Sequence, residues 1–166
     1  MWQYALKKLH ADNVDAAAEH LRDTILSNFK VTDRNETRLD ELIDSLYQYA
    51  AAFASLGHVA VEVLRPINVA INPKLTIGGE VARLDLIPSG GYAAFLLSRV
   101  QSEDWRTQIR FPLIQAHFAE KLNCSLMDIA VGIYSVPDAE HQLHRFSASR
   151  ISAARTEIAR LAARLP

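Results

Sequence analysis

HVAVEVLRPINVAINPKLTIGGEVARLDLIPSGGYAAFLLSR, His58 to Arg99, is the stretch where helical spacing of apolar residues gives way to alternation. Val59, Val61 and Val63 alternate with His58, Ala60, Glu62 and Leu64, and Ile67, Val69 and Ile71 alternate with Asn68, Ala70 and Asn72. Successive side chains of a strand leave opposite faces, so a period of two built on β-branched residues predicts strands. Leu75, Ile77, Val81, Leu84 and Leu86 continue the bias. Pro66 cannot donate to a ladder and predicts an edge, a bend or a bulge. The pairs Gly78-Gly79 and Gly90-Gly91 predict turns, the second inside the hairpin turn Pro88-Ser89-Gly90-Gly91. Tyr92 to Val100 is almost wholly apolar, as a central strand covered on both faces would be. Val61, Val63, Leu84, Leu86, Phe95 and Leu97 are the expected sheet core.

Upstream, Met1 to His10 reads either as a short strand or as a helical lead-in. Asp12 or Asn13 predicts an N-cap, after which Val14, Ala17, Ala18, Leu21, Ile25 and Phe29 share one helical face, to an end near Asn28 or Lys30. Thr32 or Asp33 caps a second helix with Leu39, Leu42, Ile43, Leu46, Tyr47, Ala50, Phe53 and Ala54 along its stripe, and Gly57 suits a left-handed C-terminal cap. Downstream, Trp105 to Leu122 is helical, with Pro112 marking its true start near Phe111 or a kink. Ile129 to Val136 predicts a strand closed by Pro137-Asp138, and Leu143 to Phe146 one more. Ser147 or Ser149 then caps a last helix to Leu165, with Ile151, Ile158, Leu161 and Leu165 packed and Arg155 and Arg160 exposed. No repeat or linker divides the chain. A single domain over 1–166 is expected, with N-terminal helices over 1–57 and an α/β core, a mixed sheet flanked by helices, over 58–166.

Of the 166 residues 49% are hydrophobic and 22% charged, enough apolar material for a core without staples. The formal net charge of −1 provides no bulk field for a polyanion, so any nucleic-acid contact must come from a local patch. Arg99, Arg106 and Arg110 are the candidates for phosphate contacts, against ordinary solvated surface as the plain alternative. Cys124 is the single cysteine, which excludes an intrachain disulfide and a cysteine-cluster zinc site. No run approaches a membrane span, and MWQYALKKLHADN lacks a signal-peptide core, so a cytoplasmic protein with no membrane partner is expected.

Taken in order, VARLDLI, GGYAAFLLSRV, WRTQIRFPLIQAHFAEKLNC and MDIAVGIYSV resemble the RecB-like branch of the PD-(D/E)XK, or restriction-endonuclease-like, nuclease superfamily. The resemblance implies a restriction-endonuclease-like fold, with Asp85 at the metal-ligand position of one strand and an acid-x-Lys motif on the next. Magnesium or manganese held by several carboxylate oxygens would then activate water for phosphodiester hydrolysis. Here Leu96 stands where the second acid belongs and Ser98 where the Lys belongs. The helix glutamine of the pattern falls near Arg110 or Pro112, with Gln115 close by. The resemblance thus implies a catalytically degenerate nuclease-like domain without a cofactor, acting in nucleic-acid binding or as a scaffold in a prokaryotic DNA-processing or defence assembly. One alternative is an active metal-dependent DNA or RNA nuclease, with a migrated site of Asp85, Glu62, Glu80 and Arg99. Another is a protein-interaction module, docked on a protein partner in a larger complex, with no nucleic-acid contact.

Each residue has a plainer explanation. Asp85 fits equally a strand-end turn or a salt bridge with Arg83. Glu62 fits a solvent-facing strand position. His141 and His144 would need further ligands to hold a metal. Cys124 beside a histidine would make a nucleophile pair, but lone buried thiols are usually inert.

Overall fold

The computed structural model describes residues 1–72, 75–99 and 104–164. Val100 and Leu165, named above, lie outside the described residues, as does Pro73 of the quoted stretch. The helices α1 (Trp2–Ala11), α2 (Val14–Asn28) and α3 (Asp33–Leu56) come first. They are followed by β1 (Val59–Asn72), β2 (Leu75–Leu86), β3 (Tyr92–Ser98), α4 (Arg110–Lys121), β4 (Ile129–Ser135), β5 (Glu140–His144) and α5 (Ala148–Ala162). The ambiguous N-terminal segment is therefore a helix, and Trp2, Ala5, Leu6 and Leu9 are its buried face.

The caps explain where the helices start. The Asn13 side chain accepts from Ala16 N at the head of α2, Thr32 does so from Asn35 N for α3, and Ser147 from Arg150 N for α5. Gly57 closes α3 at φ +63, which glycine adopts without a Cβ clash. Pro112 lies in the first turn of α4, where a missing N–H costs nothing, so it marks the start and not a kink.

Among the described residues the five strands form one mixed sheet in the order β1-β2-β3-β4-β5. The first three make an antiparallel meander, β3 and β4 run parallel, and β5 returns antiparallel. A parallel neighbour requires a crossover, and α4 supplies it. This is the expected α/β class, and it is consistent with a restriction-endonuclease-like arrangement. One face packs Leu84, Ala94, Ile129, Val131 and Ile133 against Phe111, Ile114 and Phe118 of α4 and Ile151 of α5. Tyr134, with Val63 and Leu97 beside it, packs against α1, α2 and α3.

Several expectations are corrected. Gly78 and Gly79 do not form a turn: they sit inside β2, opposite Asn68 and Ile67. Gly90 and Gly91 do turn, at φ +93 and +85. Val61 and Leu86 are exposed, because β1 is the edge strand and Leu86 ends β2 opposite Val59, which is exposed too. Leu161 is 43% exposed, since α5 docks through Ile151 and Ala154 nearer its start. The last strand spans Glu140–His144 and stops short of Phe146. As expected, Pro66 sits on the edge strand, Tyr92–Ser98 is central, and Arg155 and Arg160 are exposed.

Candidate functional site

Arg83 and Asp85 are two apart on β2, so both side chains leave the same face. Asp85 stands between two alanines, Ala60 on β1 and Ala93 on β3, and Arg83 stands opposite Phe95. These small flanking residues leave room for a large neighbour, and Arg83 fills it. Its Nε donates to Asp85 Oδ1 at 2.5 Å, with the two side chains 1% and 0% exposed. Its Nη1 donates to the Tyr49 hydroxyl and its Nη2 to His141 Nε2 at 3.2 Å. The guanidinium carbon lies 4.2 Å from the ring centroid of Phe53 and 4.7 Å from that of Phe95, a cation held among rings.

Protons can be placed by elimination. Guanidinium only donates and ionised carboxylate only accepts. His58 therefore donates from Nδ1 to Asp85 Oδ2, 3.1 Å away. His141 accepts from Arg83 at Nε2 and, when neutral, carries its proton on Nδ1. Burial and the nearby Arg83 keep it neutral, pushing its pKa down to about 3. His10, 2.8 Å from the Tyr49 hydroxyl, is lowered to about 4 by burial and then by Arg83. Burial raises Tyr49 to about 12, outweighing the lowering by Arg83, and raises Tyr134 to about 12. The Tyr134 hydroxyl and His141 Nδ1 are buried without a hydrogen-bond partner among the described residues, their rings 4.7 Å apart.

The donor set does not fit magnesium or manganese. Both Asp85 oxygens are committed, and magnesium needs several oxygens to replace its waters. Among the described residues no group of three or more His, Cys, Asp or Glu could hold a metal ion. Paired strand residues share a face, so Ala93 stands beside Asp85, and Phe95 and Leu97 follow it on the same face of β3. Leu96 and Ser98 alternate to the other face, and Leu96 packs against the α4-side core. Motif spacing put Leu96 and Ser98 at the acid and Lys positions; the register instead pairs Asp85 with Ala93, and the β3 residues on the aspartate's face, Ala93, Phe95 and Leu97, are apolar. The migrated set does not assemble either. Glu62 pairs with Arg65 and is the cross-strand partner of Leu84, on the face away from Asp85. Glu80 is exposed opposite Pro66, and Arg99 is exposed beyond the end of β3.

Neither a protein-family model nor a curated protein matches the chain.

The remaining candidates separate. Gln115 is fully buried and clamps the backbone, giving Nε2 to Leu126 O and Phe146 O and taking Phe146 N at Oε1. His141 and His144 are three apart on a strand and so face opposite ways; His144 meets Phe146 instead. Burial raises the Cys124 thiol, which keeps it protonated and poorly nucleophilic. Arg106 and Arg110 are exposed with their guanidinium carbons 5.5 and 4.9 Å from the rings of Trp105 and Phe111. Arg99 faces a different place, a pocket of about 420 Å³ that also holds Arg38. The sequence reading missed Tyr49 and His141 as partners of Arg83, His58 as a partner of Asp85, and His10 as a partner of Tyr49. The only sequence signal for the cluster was the Arg-x-Asp spacing on a strand.

Proposed function

We propose that this chain is a nuclease-like domain of the RecB-like PD-(D/E)XK type in which the metal position has become a structural ion pair, and that it acts by binding nucleic acid without cutting it. The observation that carries this is the state of Asp85: no exposed surface, with one oxygen taken by Arg83 and the other by His58. A carboxylate with no exposed surface, already neutralised by a buried guanidinium, is closed to a hydrated cation, and the apolar β3 neighbours offer no second acid. Arg99 with Arg38, and Arg106 with Arg110, are the exposed cations that support a binding role on a chain of near-zero net charge.

The test is incubation with single- and double-stranded DNA and RNA, with magnesium and then manganese. No cleavage is expected, together with binding that weakens as salt is raised. Cleavage that disappears on chelation and in Asp85→Asn, whose fold is checked by circular dichroism, would overturn the proposal. A second role is favoured by one observation, the exposed apolar residues Val59 and Val61 on the edge strand β1. Such an edge suits strand addition by a protein partner in a larger complex. Affinity that ignores salt and sequence, but is lost in Val61→Lys with a protein partner, would favour it.

A further inference from the structure

The geometry points to the pocket around Arg38 and Arg99 as a binding site for a nucleoside phosphate, a phosphomonoester dianion carried on a planar base. The site deepens the nucleic-acid-binding role proposed above and rests on it when the phosphate is a strand end. Its volume of about 420 Å³ falls in the range of small-molecule sites. It opens where β3 and β4 finish: Arg99 follows Ser98, and Val136, which follows Ser135, also lines it. Ligands of open α/β sheets gather beyond the carboxyl ends of parallel strands.

The donors select the charge. Trp2 Nε1 already donates to Leu42 O at 3.2 Å, Asn35 Nδ2 to Lys30 O at 2.8 Å, and Ser45 Oγ to Glu41 O at 2.8 Å. Each neutral side-chain donor lining the pocket thus has a backbone partner. Arg38 and Arg99 are both exposed and form no ion pair among the described residues. Arg38 and Arg99 are thus the charged side chains that the pocket offers an incoming molecule. Two cations match a phosphomonoester, which carries between one and a half and two charges at neutral pH, better than a carboxylate or an internal phosphodiester. The rest of the lining is apolar. Phe29, 47% exposed beside the buried Trp2, offers a ring face on which a base can stack.

The test is calorimetric titration of the full chain with five probes. They are inorganic phosphate, adenosine monophosphate, a short single strand with a 5′-phosphate, the same strand with a 5′-hydroxyl, and a circular single strand. The nucleotide and the phosphorylated strand should bind more tightly than inorganic phosphate or the hydroxyl strand. Arg38→Gln and Arg99→Gln should each weaken them about tenfold or more, as expected for loss of a charged hydrogen bond. Phe29→Ser should weaken the nucleotide but not inorganic phosphate. All three positions are exposed, so the variants should keep the fold. If circular and hydroxyl strands bind as well as the phosphorylated one, untouched by both arginine variants, the pocket site is overturned and nucleic-acid binding stands. If the nucleotide binds in an arginine-dependent way and no strand does, the site stands with a free nucleotide as its ligand and the binding role proposed above falls. If no probe binds, both fall.

Discussion

Arg83 is the residue on which the largest number of unusual contacts converge, and its role can be separated from Asp85's by energy. Burying an ion pair costs desolvation that its attraction only partly offsets, but removing one partner leaves a bare charge behind. Arg83→Met and Asp85→Leu should each cost about 3–5 kcal/mol. The double variant should cost much less than their sum, because an apolar pair of similar volume strands no charge. Urea denaturation of the four proteins checks this, and two small, additive effects would show that Asp85 is not held as described. The histidines of the cluster predict a pH dependence. His10 and His141 have folded values of about 4 and about 3, below the ordinary 6.5, so the unfolded chain binds protons that the folded chain does not. Stability should therefore be fully present above about pH 6.5 and fall as the pH drops toward these values, by up to about 1.4 kcal/mol per pH unit for each histidine. The measurement is the unfolding free energy between pH 7 and pH 5, where most carboxylates are still ionised. The slope should shrink in His10→Gln/His141→Gln; an unchanged slope would assign it to other groups.

At the scale of elements, what was legible in the sequence was whatever depends on a residue's own neighbours. The caps at Asn13, Thr32 and Ser147, the glycine at Gly57 and the hairpin turn before Tyr92 are local chemistry, and each stands where its spacing put it. The helix α1 was harder to read because it is short, has no side-chain cap bond and has no acid in its first turn, although its buried residues keep helical spacing. Gly78-Gly79 was misread because a glycine pair signals a turn only if the chain reverses there, and here it pairs across to Asn68 and Ile67 instead. Sheet register was beyond local reading altogether. Which β3 residues share Asp85's face depends on the hairpin's pairing: it sets Ala93 opposite Asp85 and Leu96 on the other face, and a slip of one position would exchange the two faces. Gly132 is similar: a Cβ there would run into the backbone carbonyl of Gln142, a constraint set by β5 and visible only once β4 and β5 are paired.

At the scale of the molecule, the N-terminal helices complete the domain's second face, and this is testable by cutting the chain. Residues 1–57 supply Tyr49 and Phe53 to Arg83 and pack on Tyr134, while His10 from α1 holds the Tyr49 hydroxyl. A fragment of residues 58–166 keeps all five strands but uncovers that face. Phe95 and Tyr134, each 1% exposed in the whole chain, would meet water, and Arg83 would lose its Tyr49 and Phe53 contacts while keeping Asp85. Exposing two aromatic side chains, each burying about 150–250 Å², costs on the order of 10 kcal/mol at about 25 cal/mol per Å². That is comparable to the whole stability of a typical domain, about 5–15 kcal/mol. The fragment should therefore show no cooperative unfolding transition and little near-ultraviolet circular dichroism, and adding a peptide of residues 1–57 should restore both. A fragment that melts sharply on its own would mean that the helices are an appended layer able to lift away. The face bearing Asp85 could then open to a polymer, and the aspartate's burial would no longer argue against a reaction there. While the helices are required for folding, that face stays shut, and the nucleic-acid contact proposed above is left to the exposed arginines.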